Sequence, residues 1–298
     1  MESVISIFVG ILEEGLVYAI MALGVYITYK ILDFPDLSVD GTFPLGGAVT
    51  AVLIIAGVPP MATLFIAFAM GALAGILTGL IHVKLKVRDL LSGIIMMTAL
   101  YSLNLRIAGK ANVAIFSKET VFDNAFLEGM LPAWLKDYGT LIILFVIVLV
   151  MKLLLDLYLK TKSGYLLRAV GDNDTLVTSL AKDKGMVKIV GLAIANAFVA
   201  LAGCIYTQKS GFFEISSGTG TIVIGLASVI IGTNIFKHFS LVKATTAVII
   251  GSIIYKACVA LAIGAGMAAS DLKLITAVLF LIILVISNDR KRRVKTND

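Results

Sequence analysis

Charge is scarce in this chain: Asp, Glu, Lys and Arg make up 15% of its 298 residues, where a soluble domain carries about a quarter. Histidine occurs only at His82 and His238, neither with a metal-ligand neighbour at useful spacing, so no metal site is expected. Cysteine is equally rare. Cys204 and Cys258 both lie in apolar runs and read as small buried hydrophobes, which leaves the redox compartment open. There is no Gly-x-x-x-x-Gly-Lys-Ser/Thr loop, so the chain supplies no nucleotide site of that kind. The opening MESVISIFVGILEEG has an acid in place of a basic n-region and no small-residue cleavage site, so a cleavable signal peptide is not expected.

What the chain has in abundance is apolar surface. Hydrophobic residues make up 59% and the mean hydropathy is +1.01, values that fit lipid contact and a polytopic membrane protein. A helix crosses the hydrocarbon core with roughly 17–25 residues. That length predicts an all-α bundle of about nine spans, at roughly 5–30, 43–58, 60–82, 90–108, 138–159, 187–207, 219–236, 240–263 and 271–287. The second and seventh are short and glycine-rich. Lysine and arginine mark cytoplasmic ends: HVKLKVRD, the connection from Lys160 to Lys188, IFKHFS and the tail NDRKRRVKTND fall on one side. The C-terminus is therefore expected in the cytoplasm and the N-terminus outside, with 109–137 an extracellular loop and 288–298 a basic tail. The net charge of +6 is read as a topology signal with attraction to anionic lipid, and not as a nucleic-acid surface. No nucleophile–base or metal constellation supports an intramembrane enzyme.

The chain also repeats itself. Displaced by 179 residues, Gly24, Thr28, Lys30, Phe34, Ser38, Gly41, Thr42, Gly46 and Ala48 meet Gly203, Thr207, Lys209, Phe213, Ser217, Gly220, Thr221, Gly225 and Ala227. Chance gives roughly two such identities. The copies, about 15–108 and 189–287, begin five passes apart and are expected to run in opposite directions, as in inverted-topology repeats. LDFPDLSVDGTFPLGGA (32–48) thereby pairs with GFFEISSGTGTIVIGLA (211–227). Both interrupt apolar helix with breakers and polar groups. Irregular backbone must be buried in protein or line a watery cavity, so Phe34, Asp36, Ser38, Asp40 and Thr42, with Phe213, Glu214, Ser217, Thr219 and Thr221, are the candidate translocation path. A solvated cytoplasmic loop at 32–42 is the competing reading.

The connection 160–188 carries T-x-x-G-x-x-x-R-A-x-G-D-N at Thr161, Gly164, Arg168, Ala169, Gly171, Asp172 and Asn173. A helix through Arg168, a turn at Gly171–Asp174 and a second helix capped by Asp174 are expected, or else a plain connecting loop. The motif resembles the ATPase-coupling loop of permeases of the branched-chain amino acid and ribose-type ATP-binding-cassette importers. The segments 15–48 and 218–232 are similar to permeases described as tryptophan/tyrosine or uncharacterised importers, and the resemblance covers most of the chain. One departure is Ala181-Lys182-Asp183-Lys184-Gly185, where these permeases carry a different turn.

The resemblance implies a single type II importer-like transmembrane domain in a bacterial cell membrane. It implies a homodimer, two ATP-hydrolysing subunits that hold ATP and Mg, and an extracellular solute-binding lipoprotein. Gly164, Arg168, Ala169, Gly171, Asp172 and Asn173 would then couple to the ATPase, and the chain itself would bind no cofactor. The cargo would be a small organic solute, an amino acid or an aromatic one. An ion-coupled secondary transporter is the alternative, since it also uses inverted repeats with acids near the midplane.

Other residues have two readings each. Lys256 is an intramembrane charge that either pairs functionally, with Glu214 or an aspartate of the first repeat, or snorkels from the outer third of its span. Glu13 and Glu14 mark the outer end of span one, or contact a substrate amine. Arg106 reads as interfacial. The stripe Gly71, Gly75, Gly79 suits close packing inside the bundle or at a dimer contact, and Phe34 and Phe213 suit core packing or stacking on cargo.

Overall fold

The computed structural model describes residues 2–123, 138–172, 183–237, 239, 242–264, 266 and 271–295. Ten helices carry the fold: α1 Glu2–Val25, α2 Val39–Ile55, α3 Pro60–Val83, α4 Asp89–Ala108, α5 Gly139–Tyr158, α6 Lys162–Asp172, α7 Lys184–Ser210, α8 Thr221–Ile235, α9 Ala244–Gly264 and α10 Leu272–Lys295. Among the described residues seven helical stretches are long and apolar enough to span a membrane, and Val39–Ile55 and Leu274–Val285 are shorter apolar helices. The expected count of nine is thus not reached among them: the second (43–58) and the ninth (271–287) fall short, whereas the seventh, expected to be short, attains spanning length as Ile215–Ile235 because a 3-10 turn precedes its α-helix.

The first break follows from local chemistry. α1 widens into a π-helical turn at Tyr26–Ile31, where the Leu32 amide donates to Ile27 five residues back and the Phe34 amide to Thr28. Pro35 then pushes Phe34 out of the helical region, and Asp33 adopts φ +51°. The chain restarts through an Asx turn, the Ser38 amide donating to Asp36 Oδ1 at 2.9 Å. That turn opens α2 four residues earlier than the expected residue 43. Pro44 inside α2 has no N–H for the Asp40 carbonyl, and Gly218 packs against both that oxygen and the proline ring.

The second break has the same spacing. α7 ends at Ser210, 179 residues after the end of the π-helical turn at Ile31, and α8 ends at Ile235, 180 after Ile55. Between α7 and α8 run a strand, Phe212–Glu214 (β2), and a 3-10 turn, Ile215–Gly218. β2 pairs antiparallel with β1, Asn112–Ala114, so the expected extracellular loop contributes a strand edge against the second repeat. The Val121 amide also donates to Gln208 Oε1 at 2.9 Å.

α7 is the central element, buried almost all round, as a helix apolar on every face must be inside a bundle. Glycines let its neighbours approach. A Cβ at Gly71, Gly75 or Gly79 on α3 would strike Asn196 O, Leu192 O or the Ile189 Cα of α7, so that stripe packs within the bundle. Gly46 of α2 and Gly203 of α7 press on the opposite helix's carbonyls, Ala200 and Phe43. Around this axis α1, α3, α5 and α7 share one apolar core built from Ile20, Leu23, Leu144, Val199 and their neighbours.

Candidate functional site

The two breaks meet. Asp40, in the first turn of α2, reaches across to the start of α8: its Oδ2 accepts from the Gly220 amide at 2.9 Å, and its Oδ1 from the Ile222 amide at 2.8 Å and the Thr221 hydroxyl at 3.0 Å. The second repeat's short helix begins with Gly220 at φ +86° and no side-chain cap of its own, so Asp40 serves as its N-cap from the other repeat. A carboxylate there satisfies free amides and faces the positive end of the helix dipole.

A second polar joint ties the first break to α7. Asn196 Nδ2 donates to Asp36 Oδ2 at 2.8 Å, and its Oδ1 accepts from Thr42 Oγ1 at 2.7 Å and Ser38 Oγ at 3.2 Å. Asp36, Ser38, Thr42 and Asn196 are all at most 1% exposed. The segment is therefore buried in protein and not a solvated loop, although Asp33 and Pro35 remain exposed. Asn196 was missed in the sequence. Its one signal is a lone amide inside an apolar run, a residue whose cost implies a partner.

A cavity of about 340 Å³ lies beside the second break, lined by Tyr18, Ser216, Ser217, Thr219, Thr221, Tyr255, Lys256 and Thr276 among others. Of the expected path residues it takes Ser217, Thr219 and Thr221. Asp36, Ser38, Asp40 and Thr42 are not among its walls; their polar atoms are engaged in the two joints. Phe34 is buried with its ring edge-on to His82, 5.1 Å between centroids, and Phe213 is buried in β2. Glu214 is exposed and accepts from the Ser216 hydroxyl.

Lys256 closes the cavity on one side, with a partner other than either one expected. Its Nζ lies 3.0 Å from Glu14 Oε2 and 3.9 Å from the Tyr18 ring centre. Neither Glu214 nor an aspartate of the first repeat is its partner. Glu13 pairs with Lys209 at 3.1 Å. Both glutamates lie within the helical stretch Ile5–Ile31, Glu14 with its side chain 56% exposed. Lys256 sits two residues beyond Ile254, the centre of Ala244–Gly264, rather than in an outer third.

The connection after α5 forms a helix, α6, with Gly164, Leu167 and Val170 buried and Tyr165, Arg168 and Asp172 exposed. Gly171 and Asp172, expected in a turn, are its last residues; Asn173 and Asp174 lie outside the described residues. α6 docks on the first break. A Cβ on Gly171 would stand 1.7 Å from the Ile31 carbonyl oxygen, and Gly191 of α7 receives both Leu167 and Leu32. Gly164 in turn packs on the Tyr158 carbonyl at the end of α5. Asp183 caps α7, accepting from the Gly185 amide at 2.8 Å, which gives these two residues of the departing segment a local structural use. Asp156, another acid in an apolar run, binds Lys152, Lys243 and Thr245 and joins α5 to the start of α9. Among the described residues no His/Cys/Asp/Glu cluster could hold a metal ion.

The chain belongs to the family of branched-chain amino acid transport system permease components, whose model matches residues 7–287. It is 42% identical over 289 residues to a tyrosine transport system permease protein of Clostridioides difficile, covering 97% of this chain and 94% of that one. A ribose import permease of Escherichia coli is 24% identical over 227 residues, 75% and 68% of the two chains. A probable branched-chain amino acid permease of Methanocaldococcus jannaschii is 28% identical over 231 residues, 72% and 70%. No solved structure matches. The chain is thus a multi-pass permease subunit of an importer, and the ion-coupled alternative is not favoured.

Proposed function

We propose that this permease imports an amino acid, with an aromatic side chain favoured, by alternating access driven by partner ATPase subunits. The cargo class is supported by the tyrosine permease of C. difficile, which is similar along almost the whole chain. The observation that carries the mechanism is the docking of α6 on Ile31 and Leu32. Arg168 and Tyr165 point outward from this helix, available to a cytoplasmic ATPase, while its buried face bears on the first helix break. A push on α6 is thereby delivered to the π-helical turn. From there Asp40 carries it to the start of α8, beside the cavity holding Ser217, Thr219 and Thr221.

In this reading the two breaks are inverted repeats with equal spacing, the working unit is a homodimer, and a solute-binding lipoprotein delivers cargo from outside. ATP and Mg belong to the ATPase subunits. Vesicles containing the permease, its ATPase subunits and its solute-binding protein test the proposal. Labelled L-tyrosine should accumulate with ATP inside the ATPase compartment and fail to accumulate when the ATPase subunit is omitted. Uptake driven by a proton or sodium gradient without ATP would overturn it.

A further inference from the structure

From the geometry around Lys256 we propose that Glu14, Lys256, Tyr18 and Tyr206 form a binding subsite for a zwitterionic aromatic amino acid. The assignment rests on the amino-acid reading above and gives it residues.

The ion pair is placed where a scaffold gains little from it. Glu14 is four residues from Tyr18, the centre of the apolar stretch Ile5–Ile31, and Lys256 is two residues from the centre of its own helix, about 6 and 3 Å at 1.5 Å per residue. A charge pair so deep in a membrane helix is costly, and an apolar pair of similar volume serves packing as well or better. Solute sites in repeat-built transporters sit near this depth. The side chain of Lys256 is 12% exposed and that of Glu14 is 56% exposed. Two cavities touch the pair. One, about 340 Å³, includes the hydroxyl-bearing Ser217 and Thr219 of the second break; the other, about 370 Å³, includes Glu14 and Tyr206. Tyr18, Lys256 and Val259 belong to both walls.

The chemistry selects the ligand. A zwitterion can enter between Glu14 and Lys256, its carboxylate accepting from Lys256 Nζ and its ammonium donating to Glu14, and leave neither charge alone. A simple anion or cation would pair with one member and leave the other without its partner, which matters most for Lys256, whose side chain is 12% exposed. Two rings line the cavities beside the pair, Tyr18 and Tyr206; Phe43, fully buried, backs them, stacked on Tyr18 at 5.9 Å and 7°, and Tyr206 is tilted to both at 6.1 and 5.6 Å. Such a cluster suits an aromatic side chain.

The test uses the complete transporter in vesicles with a diazirine-bearing L-phenylalanine as photoprobe. Label is expected within 14–18, 206, 216–221 or 255–259, displaced by L-tyrosine but not by tyramine, which lacks the carboxylate. Lys256→Gln is expected to cut labelling and L-tyrosine uptake about tenfold, the loss of one charge-assisted hydrogen bond. The exchange Glu14→Lys with Lys256→Glu keeps an ion pair and so preserves a scaffold; it should leave labelling low. If L-tyrosine is taken up but label falls elsewhere, or the exchange restores wild-type labelling and uptake, the subsite is wrong and the importer reading stands. If no amino acid is taken up or labels the protein, both fall.

Discussion

Gly171 at the end of α6 lies so close to Ile31 that an added Cβ would stand 1.7 Å from the Ile31 carbonyl oxygen. No L side chain fits without moving one backbone against the other. The contact joins the helix that carries the family-like motif to the turn at which the first repeat breaks.

Gly171→Ala is therefore expected to lift α6 off the π-helical turn. The overlap is with backbone, so it cannot be relieved by a rotamer change, and overpacking of this kind costs about 1–3 kcal/mol. Membrane insertion should survive, since the substituted residue lies in α6, outside the spanning stretches. ATP hydrolysis by the assembled complex should persist while solute uptake drops at least severalfold. Uptake per ATP equal to wild type would show that the close approach carries no coupling.

Asp40 gives a second expectation. Capping substitutions cost about 0.5–2 kcal/mol, and Asp40 caps a helix from another element, so its loss loosens the joint between the repeats as well as the start of α8. Asp40→Ala should lower the thermal midpoint of the detergent-solubilised permease and lower uptake together. Asp40→Asn keeps an acceptor for one of the two amides and should fall between. A purely cargo-binding aspartate would lose uptake with an unchanged midpoint.

The buried joint at Asn196 predicts non-additivity. Asn196→Ala leaves the Asp36 carboxylate, 1% exposed, with a lost donor; an unsatisfied buried group costs about 1–3 kcal/mol, more when charged. Asp36→Ala removes the stranded acid but also the Asx turn at Ser38. The double variant should be less destabilised than the two single effects summed, by about 0.5–3 kcal/mol, as expected for residues in one network. Chemical denaturation of the three variants measures the coupling; strict additivity would place the two side chains in separate environments.

Much of the architecture was legible because membrane helices announce themselves by length and apolarity. α3, α4 and α5 start and stop within two residues of expectation. The breaks were legible as well, through Pro35 and the identities between the two copies. What the acids do there was not. Composition marks Asp36 and Asp40 as polar groups in an apolar region, but the long-range cap that Asp40 makes on α8 and the local Asx turn at Asp36 leave no spacing that distinguishes them from a watery wall. The partner of Lys256 was hidden for the same reason. Glu14 is 242 residues away, and only the packing of α1 on α9 brings them together. Asn196 carried no periodic signal at all.

The outward face of α6 provides the remaining test. Arg168 and Tyr165 are exposed on the helix whose other face holds Leu167 and Val170 against the bundle. Exposed substitutions usually change stability by less than about 0.5 kcal/mol, so Arg168→Ala should leave the thermal midpoint of the isolated permease unaltered. Its effect should instead fall on assembly with the ATPase. A guanidinium offers several donors in a fixed fork, and truncating one at the centre of an interface costs about 2 kcal/mol or more. Binding of the ATPase subunit to permease in nanodiscs, followed with and without Arg168→Ala, should weaken by a factor of about 30. Adding Asn173→Ala should uncouple ATP hydrolysis from uptake further. A double variant that binds the ATPase and transports as well as wild type would mean that the motif faces no partner, and that force reaches the Ile31 turn by another route.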